Sequence, residues 1–126
     1  MRKAALFMVC LIIVSCKTEV KKGTTEPNEQ AVEKTSAEFG KELFEGKGRC
    51  FACHKPDQKI IGPSIREIAA IYKDKHGDIV SFLKGNEKPL VDPEQFEVMK
   101  ANFEVTKTMS DDELEAMEVY IYSQLQ

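Results

Sequence analysis

The sequence predicts an all-α domain for residues 36–126. Ser or Asp stands three positions before Glu or Gln at several points, which is the pattern of a helix N-terminus closed by a capping box. The apolar residues that follow recur at intervals of three and four, as on one face of an α-helix. No segment shows convincing period-two alternation of apolar and polar residues, so no β-strand is predicted. The length of 126 residues suits one small domain of four to five short helices.

The first fifteen residues have the pattern of an export signal. Arg2 and Lys3 precede an apolar run, residues 4–14, that is too short to span a bilayer as a mature helix. The run closes on residues 13–16, which read Ile-Val-Ser-Cys and resemble the lipobox of bacterial lipoproteins. The resemblance implies that Cys16 is diacylated and becomes the first mature residue, and two acyl chains give stable anchoring. The alternative is an ordinary signal peptide cleaved nearby, with Cys16 a free thiol; an unpaired Cys in an exported protein favours lipidation.

Residues 16–35 are predicted to be the lipidated N-terminus and a flexible tether. From residue 17 onward they are polar, carry both charge signs and lack apolar periodicity. A coil of about twenty residues spans on the order of 25 Å root mean square, which would hold a domain just off a membrane. The alternative is that part of this segment wraps the domain.

The first helix is expected to begin near Ser36 and to end at Gly46. Ser36 suits an N-cap, and Phe39, Leu43 and Phe44 recur with helical spacing. This helix leads directly into the most informative stretch of the chain.

Residues 50–54 read C-x-x-C-H, the attachment motif of a c-type haem. The two thiols, Cys50 and Cys53, add to the haem vinyl groups, and the imidazole of His54 then ligates the iron. A redox dithiol would require a βαβ context, and a zinc site would require a second ligand pair downstream. Neither context is present. No βαβ pattern surrounds the motif, and His76 and a few carboxylates are the only other candidate metal ligands in the sequence after it. The motif therefore predicts one covalently bound haem c.

Two further helices are expected after a loop at residues 55–61. Ser64 and Glu67 form a capping box for a helix that runs to about Lys75, with Gly77 as its C-cap. Its apolar face comprises Ile65, Ile68, Ala69 and Tyr72. Asp78 is the predicted N-cap of a short helix that ends at Gly85 and buries Ile79, Phe82 and Leu83.

The C-terminal third is predicted to hold a short helical turn and the final helix. After an irregular segment, Asp92 suits a cap, Pro93 the first helical position, and Gln95 completes a box, ahead of Phe96 and Met99. The final helix starts at a capping box of Ser110 and Glu113 with an acidic first turn. Its apolar stripe comprises Leu114, Met117, Ile121 and Leu125.

Residues 36–126 together resemble a small bacterial class I monohaem cytochrome c. The resemblance is carried by the C-x-x-C-H motif, by Gly62 and Pro63 after it, by a downstream Met and by the closing Ser-Asp-Asp-Glu helix. It implies the cytochrome c fold around one covalent haem c, attached on the outer side of the cytoplasmic membrane. It also implies that the Pro63 carbonyl orients the proximal His54. A close crossing of the first and last helices would involve Gly40, Phe44 and Tyr120.

The sixth iron ligand is expected to be Met99, since the resemblance places this ligand in the loop before the last helix. Met109 is the first alternative, although its position before Ser110 suits an apolar staple against Leu114. His76 is the second alternative, although it ends a charged helix where a cationic residue suits solvent. Many relatives have Pro after the ligand, whereas Lys100 follows Met99 here.

Function and partners follow from the ligands and the charge. His/Met ligation closes the iron and implies a one-electron carrier rather than an enzyme. The alternatives are a haem-bearing subunit of a larger complex, or an open-site haem enzyme or sensor.

The charge of the chain bears on its partners. Without Arg2 and Lys3 the chain has 16 basic and 21 acidic residues, a net charge of −5, which argues against nucleic acid as a partner. The expected partners are redox proteins and, through the lipid, a membrane facing the periplasm or cell exterior; the domain is expected to be monomeric unless it belongs to a respiratory complex.

The haem is expected to form the centre of the core, because a domain of this size buries little apolar area by itself. The residues predicted to pack against it are Ile60, Ile61, Ile65, Tyr72, Phe82, Leu83, Leu90 and Phe96.

Overall fold

The computed structural model describes residues 34–126, which fold into short α-helices joined by loops and two single 3-10 turns. No β-strand occurs in this part of the chain, so the all-α prediction is confirmed. The predicted signal peptide at residues 1–15, Cys16 and the tether as far as residue 33 lie outside the described residues. The helices are α1 (Ser36–Glu45), α2 (Ile65–Asp74), α3 (Ile79–Leu83), α4 (Phe96–Lys100), α5 (Phe103–Thr106) and α6 (Asp111–Ser123), with 3-10 turns at Cys50–Ala52 and Pro93–Gln95.

Helix α1 begins one residue earlier than predicted, because its N-cap is Thr35 and not Ser36. The Thr35 hydroxyl accepts a hydrogen bond from the Glu38 N–H, and the Glu38 carboxylate accepts one from the Thr35 N–H. Only Thr35 has a Glu three positions later, so only Thr35 can form this reciprocal box. The predicted end is confirmed, since the Gly46 N–H donates to the Glu42 carbonyl at 2.7 Å.

Helices α1 and α6 pack closely against each other, as the resemblance implied. A Cβ atom at Gly40 would overlap the Ala116 carbonyl oxygen, so the two backbones approach as near as a glycine allows. The rings of Phe44 and Tyr120 meet edge to face, with centroids 5.4 Å apart. Phe39, predicted to face inward, is instead 37% exposed and lies beside this contact rather than in it.

Helix α6 has the predicted capping box. The Ser110 hydroxyl accepts from the Glu113 N–H at 3.3 Å, and the Glu113 carboxylate accepts from the Ser110 N–H at 2.9 Å. The same carboxylate accepts hydrogen bonds at 2.7 and 2.8 Å from the Lys47 ammonium, which ties the segment before Cys50 to the start of α6. Leu114 and Met117 of the predicted stripe are fully buried.

Helix α2 ends in a Schellman turn whose left-handed residue is His76, not Gly77. His76 has φ 51°, and the Gly77 N–H donates to the Tyr72 carbonyl at 2.8 Å. A Cβ at Gly77 would overlap Leu90, so the glycine serves close packing rather than the turn. The predicted N-caps of α2 and α3 are confirmed: the Ser64 hydroxyl accepts from the Glu67 N–H, and the Asp78 carboxylate accepts from the Ser81 N–H. The capping box predicted for α2 is only half formed, because the Glu67 side chain does not accept a hydrogen bond from the Ser64 N–H.

The segment before α4 differs from the prediction. Asp92 makes no capping hydrogen bond with its side chain and adopts a left-handed backbone with φ 47°. Its carboxylate instead accepts a hydrogen bond from the Lys59 ammonium at 2.7 Å. Helix α5 was not predicted; the fully buried Thr106 at its end donates its hydroxyl hydrogen to the Leu83 carbonyl at 2.6 Å, joining α5 to α3.

Candidate haem site

A cavity of about 390 Å³ lies among α2, α3, α4 and α6 and the loop that carries the C-x-x-C-H motif. Its wall consists mainly of aliphatic and aromatic side chains from these helices and from residues 89–91. Cys50, Cys53 and His54 all line it. A concave apolar site with a few polar groups is the usual form of a cofactor site.

The two cysteines are presented by the 3-10 turn Cys50–Ala52. The Cys53 and His54 N–H groups both donate to the Cys50 carbonyl, at 3.1 and 2.9 Å, and this keeps the motif compact. Cys50 is buried and Cys53 is half-buried, and both are free thiols. Burial raises the pKa of the Cys50 thiol to about 11. A reactive redox dithiol requires a lowered thiol pKa, so this environment disfavours that alternative.

His54 is held by the segment that follows it. Its Nδ1 lies 2.7 Å from the Pro63 carbonyl oxygen, which accepts the hydrogen bond when Nδ1 carries the proton. This tautomer leaves Nε2 as a bare nitrogen, the form that binds a metal. Burial lowers the pKa of His54, against a smaller opposing effect of the Pro63 carbonyl, so the ring is neutral at neutral pH.

Gly62 fits against the His54 ring. A Cβ at this position would lie 2.5 Å from Cε1 and 2.8 Å from Nδ1 of the imidazole. The Gly62 N–H donates to the Cys53 carbonyl at 2.9 Å, so the loop folds back onto the motif. This return brings the Pro63 carbonyl to His54, and it depends on the absence of a side chain at residue 62.

The candidate sixth ligands occupy different places. Met99 in α4 is half-buried and lines the cavity. Met109 is buried in the core and is not part of the wall, and His76 is exposed in the turn after α2, also outside the wall. Met117 does line the cavity, but its Cε lies 3.5 Å from the Cβ position of Gly48, beside the attachment loop.

Asn102 is a site residue that sequence reasoning missed. Its side-chain amide donates to the Gly48 carbonyl at 3.1 Å, and Asn102 also lines the cavity. The bond joins the end of α4, and so the Met99 segment, to the loop just before Cys50. The contact spans 54 positions in sequence, and no local pattern indicates it.

Six of the eight residues predicted to pack against the haem line the cavity: Ile61, Tyr72, Phe82, Leu83, Leu90 and Phe96. Ile60 is 40% exposed, and Ile65 is buried in the core without reaching the wall. Phe82, Phe96 and Phe103 form an aromatic cluster, with centroids 5.4 to 6.1 Å apart.

These features fit a covalently attached haem. The cavity brings together two thiols, a neutral histidine with one free ring nitrogen, and an apolar wall. In residues 34–126 no cluster of three or more His, Cys, Asp or Glu side chains is arranged as a metal site, so the zinc alternative finds no second ligand pair there. None of the helices in that region is long and apolar enough to cross a membrane.

Comparison with known proteins gives the same family as the site. The sequence profile of the cytochrome c family matches residues 37–124. The chain is 43% identical to cytochrome c-552 of Nitrosomonas europaea over 42 residues, which is 33% of this chain and 40% of that protein. It is 45% identical to cytochrome c-551 of Azotobacter vinelandii over 40 residues, which is 32% of this chain and 48% of that protein.

A longer match is to cytochrome c-551 of Pseudomonas denitrificans, 39% identical over 62 residues, which is 43% of this chain and 73% of that protein. The chain thus spans less than half the length of the first two relatives. The family profile, by contrast, covers most of the chain and the whole of the site. The chain belongs to the cytochrome c family, whose members carry a covalently bound haem c.

Proposed function

We propose that this protein is a one-electron carrier in which His54 and Met99 are the two axial ligands of the haem iron. One observation carries the proposal: a single apolar cavity is lined by both attachment cysteines, by His54 and by Met99. Haem c supplies the reversible one-electron chemistry. The residues of the chain hold the cofactor, exclude water from it and occupy both axial positions of the iron.

Each site residue has a distinct role in this proposal. Cys50 and Cys53 bind the macrocycle through thioether bonds, and His54 supplies Nε2 to the iron. The Pro63 carbonyl, 2.7 Å from Nδ1, holds the ring and increases its basicity. Met99 supplies a thioether, which raises the reduction potential relative to a second histidine. An iron closed on both faces favours electron transfer over binding of small ligands.

The ligand assignment is tested by Met99→Ala, with Met109→Ala as the matched control. Both variants remove a thioether, but of these two methionines only Met99 lines the cavity. We expect the near-infrared sulfur-to-iron band of the oxidised holoprotein to persist in Met109→Ala and to vanish in Met99→Ala. Loss of the band in Met109→Ala alone, or its absence from the wild type, would contradict the assignment.

Carbon monoxide separates the carrier from an open-site haem enzyme or sensor. The reduced wild type at neutral pH is expected to bind the gas slowly or not at all, whereas Met99→Ala binds it rapidly. Rapid binding by the wild type would mean that the sixth position is open, and the carrier proposal would fail.

We further propose that the protein is exported and anchored through a diacylated Cys16. The proposal is supported by the charged and apolar residues 1–15, by the Ile-Val-Ser-Cys ending, and by the requirement that haem attachment occur on the outer side of the membrane. Mass spectrometry of the mature N-terminus should find Cys16 as the first residue, carrying two acyl chains. Cys16→Ala should retain haem but move to the soluble fraction; an unmodified N-terminus elsewhere would contradict the anchor.

The proposed partners are redox proteins that donate to and accept from the haem. The contacts are expected to be small and transient, as is usual for such encounters. A lipid tether would raise the local concentration near membrane partners. Stable co-purification with a membrane complex would favour the subunit alternative, whereas a monomeric pool after delipidation supports a free carrier.

A further inference from the structure

Helix α4, which carries the proposed sixth ligand, is weakly held by its own residues. It begins without a side-chain capping hydrogen bond, and none of its five residues is buried. Phe96 joins the aromatic cluster with Phe82 and Phe103, whereas Val98 is 57% exposed. A short helix with few buried contacts opens more readily than a packed one. The position of the ligand therefore depends on contacts made by the residues on either side of α4.

Polar contacts on both sides of α4 tie it to the attachment motif. After the helix, the Asn102 amide donates to the carbonyl of Gly48, which precedes the first cysteine. Before the helix, the Asp92 carboxylate accepts a hydrogen bond at 2.7 Å from the ammonium of Lys59, which follows the proximal histidine. The two contacts bracket the proposed sixth ligand, one from each side of the motif.

Lys59 belongs to the loop that holds His54. The two residues lie opposite each other in an isolated antiparallel β-bridge. The Pro63 carbonyl, at the end of the same loop, lies 2.7 Å from Nδ1 of His54. The lysine is thus part of the structure that fixes the proximal ligand.

Asp92 occupies a backbone conformation that residues with a side chain seldom adopt. Its φ is 47°, in the left-handed region, which Asp and Asn tolerate better than other residues except glycine. A carboxylate kept at a strained position indicates a contact that depends on it. The Asp92 carbonyl accepts from the Gln95 N–H at 3.0 Å, in the turn that leads directly into α4. A carboxylate fixed to Lys59 therefore sets where α4 begins.

The ion pair joins two stretches of the cavity wall. Residues of the loop 55–63 and of the segment 86–99 both line the cavity. Within the described part of the chain, 34–126, no other hydrogen bond or ion pair connects these two stretches. Loss of the pair therefore loosens the start of α4 without removing an apolar contact.

We propose that Lys59 and Asp92 are positioning residues whose ion pair holds Met99 on the iron. The pair ties the loop of the proximal ligand to the turn before α4, and so limits how often the thioether leaves the sixth position. The inference rests on the proposed function, because it requires Met99 to be that ligand. The side chains of Lys59 and Asp92 are 57% and 21% exposed, so the effect on the opening equilibrium is about twofold to fivefold.

Imidazole binding to the oxidised holoprotein measures this opening. Imidazole reaches the iron only when the thioether has left it, so the apparent dissociation constant falls as the open fraction rises. Loss of the near-infrared sulfur-to-iron band follows the titration at neutral pH and low ionic strength. We expect Lys59→Gln and Asp92→Asn each to lower the apparent dissociation constant about twofold to fivefold. Asn at residue 92 keeps the left-handed backbone but not the charge.

A double variant and added salt make the result specific to the pair. Because either single change breaks the same ion pair, Lys59→Gln/Asp92→Asn should bind imidazole no more tightly than each single variant. Lys59→Arg keeps the cation and should retain the wild-type value. In about 1 M salt, where the screening length is roughly 3 Å, the wild type should move toward the variants, and the variants should not change.

Arg66→Gln is the matched control. It removes an exposed ion pair of the same 2.7 Å length, between Arg66 and Asp57, from the same loop but without a link to α4. It should leave the affinity for imidazole unchanged. Equal affinities of the wild type and Lys59→Gln at low salt, or additive effects in the double variant, would overturn the inference and leave Met99 as the ligand. Absence of the sulfur-to-iron band from the wild type would overturn the ligand assignment and this inference with it.

Discussion

At the scale of single residues, the site depends on how one imidazole is held. His54 donates from Nδ1 to the Pro63 carbonyl while its ring packs on Gly62, so both its tautomer and its orientation are determined by the loop that follows it. The two residues act through backbone geometry, since Gly62 contributes the absence of a side chain and Pro63 a carbonyl oxygen. A substitution at residue 62 would therefore act directly on His54, the proposed iron ligand.

Gly62→Ala is expected to weaken the attachment of His54 to the iron. The new Cβ would lie 2.5 Å from the imidazole, and displacing the ring or the loop costs about 1 to 3 kcal/mol. We expect the acid transition of the visible haem spectrum to move to higher pH. Gln58→Ala, an exposed change in the same loop, serves as the control. An unchanged acid transition in Gly62→Ala would mean that the ring is not confined by this glycine.

At the scale of elements, the contact between α1 and α6 sets the frame of the domain. Gly40 and Ala116 allow the two backbones to touch, and Phe44 and Tyr120 meet edge to face beside them. The Lys47–Glu113 pair then joins the C-terminal side of α1 to the first turn of α6. The attachment motif begins directly after these contacts, so its position depends on them.

Gly40→Ala is expected to destabilise the domain strongly. A methyl group would overlap the Ala116 carbonyl, and separating two packed helices costs about 3 kcal/mol or more. Denaturant unfolding of the holoprotein measures the loss, with exposed Lys41→Ala on the same helix as the control. Equal stability of the two variants would contradict the close backbone contact.

Glu113→Gln tests the pH dependence of the cap of α6. Two hydrogen bonds hold the pKa of Glu113 below its usual value of 4.5. The larger effect comes from the Lys47 ammonium and the smaller one from the Ser110 N–H. A lowered folded-state pKa adds stability that is fully present above the unfolded pKa and is lost as pH falls through the folded one. The variant should therefore have a lower Tm than the wild type at pH 7, and the two should converge once the pH falls below the lowered folded-state pKa of Glu113. Exposed Glu115→Gln is the control; a difference that persists in acid would contradict the ionic origin.

At the scale of the whole molecule, the apolar cavity links the fold of residues 34–126 to the cofactor. About 390 Å³ of space lies inside a domain of little more than ninety residues. Aromatic and aliphatic side chains from five helices face it, and they gain packing partners when the macrocycle fills the space. Folding and haem binding are therefore expected to be coupled.

Preventing haem attachment should remove the fixed tertiary structure. In Cys50→Ala/Cys53→Ala the cavity is left to collapse or fill with water, and we expect loss of the near-ultraviolet circular dichroism with partial retention of the far-ultraviolet helical signal. Cys16→Ala, which removes a cysteine well before the motif in sequence, should retain both signals. Cooperative unfolding of the double variant at the wild-type temperature would show that the core does not need the cofactor.

Local rules predicted most elements because caps and stripes are decided within a few residues. Ser64, Asp78 and Ser110 are N-caps in the structure as the sequence indicates, and Glu113 completes the predicted box of α6. Errors arose where distant partners compete with local ones. Asp92 binds Lys59 rather than capping its own turn, and α5 is held by the hydrogen bond of Thr106 to Leu83 on α3.

The sequence by itself determined the all-α class, the cofactor and its attachment, because C-x-x-C-H and helical periodicity are short-range patterns whose chemistry lies in adjacent residues. Only the tertiary structure decided which of several Met and His side chains reach the cavity, that Asn102 joins the Met99 segment to Gly48, and that Lys59 pairs with Asp92 before α4. Those facts depend on contacts between residues far apart in the chain. The free energy of such contacts comes from packing and burial, which no local spacing records.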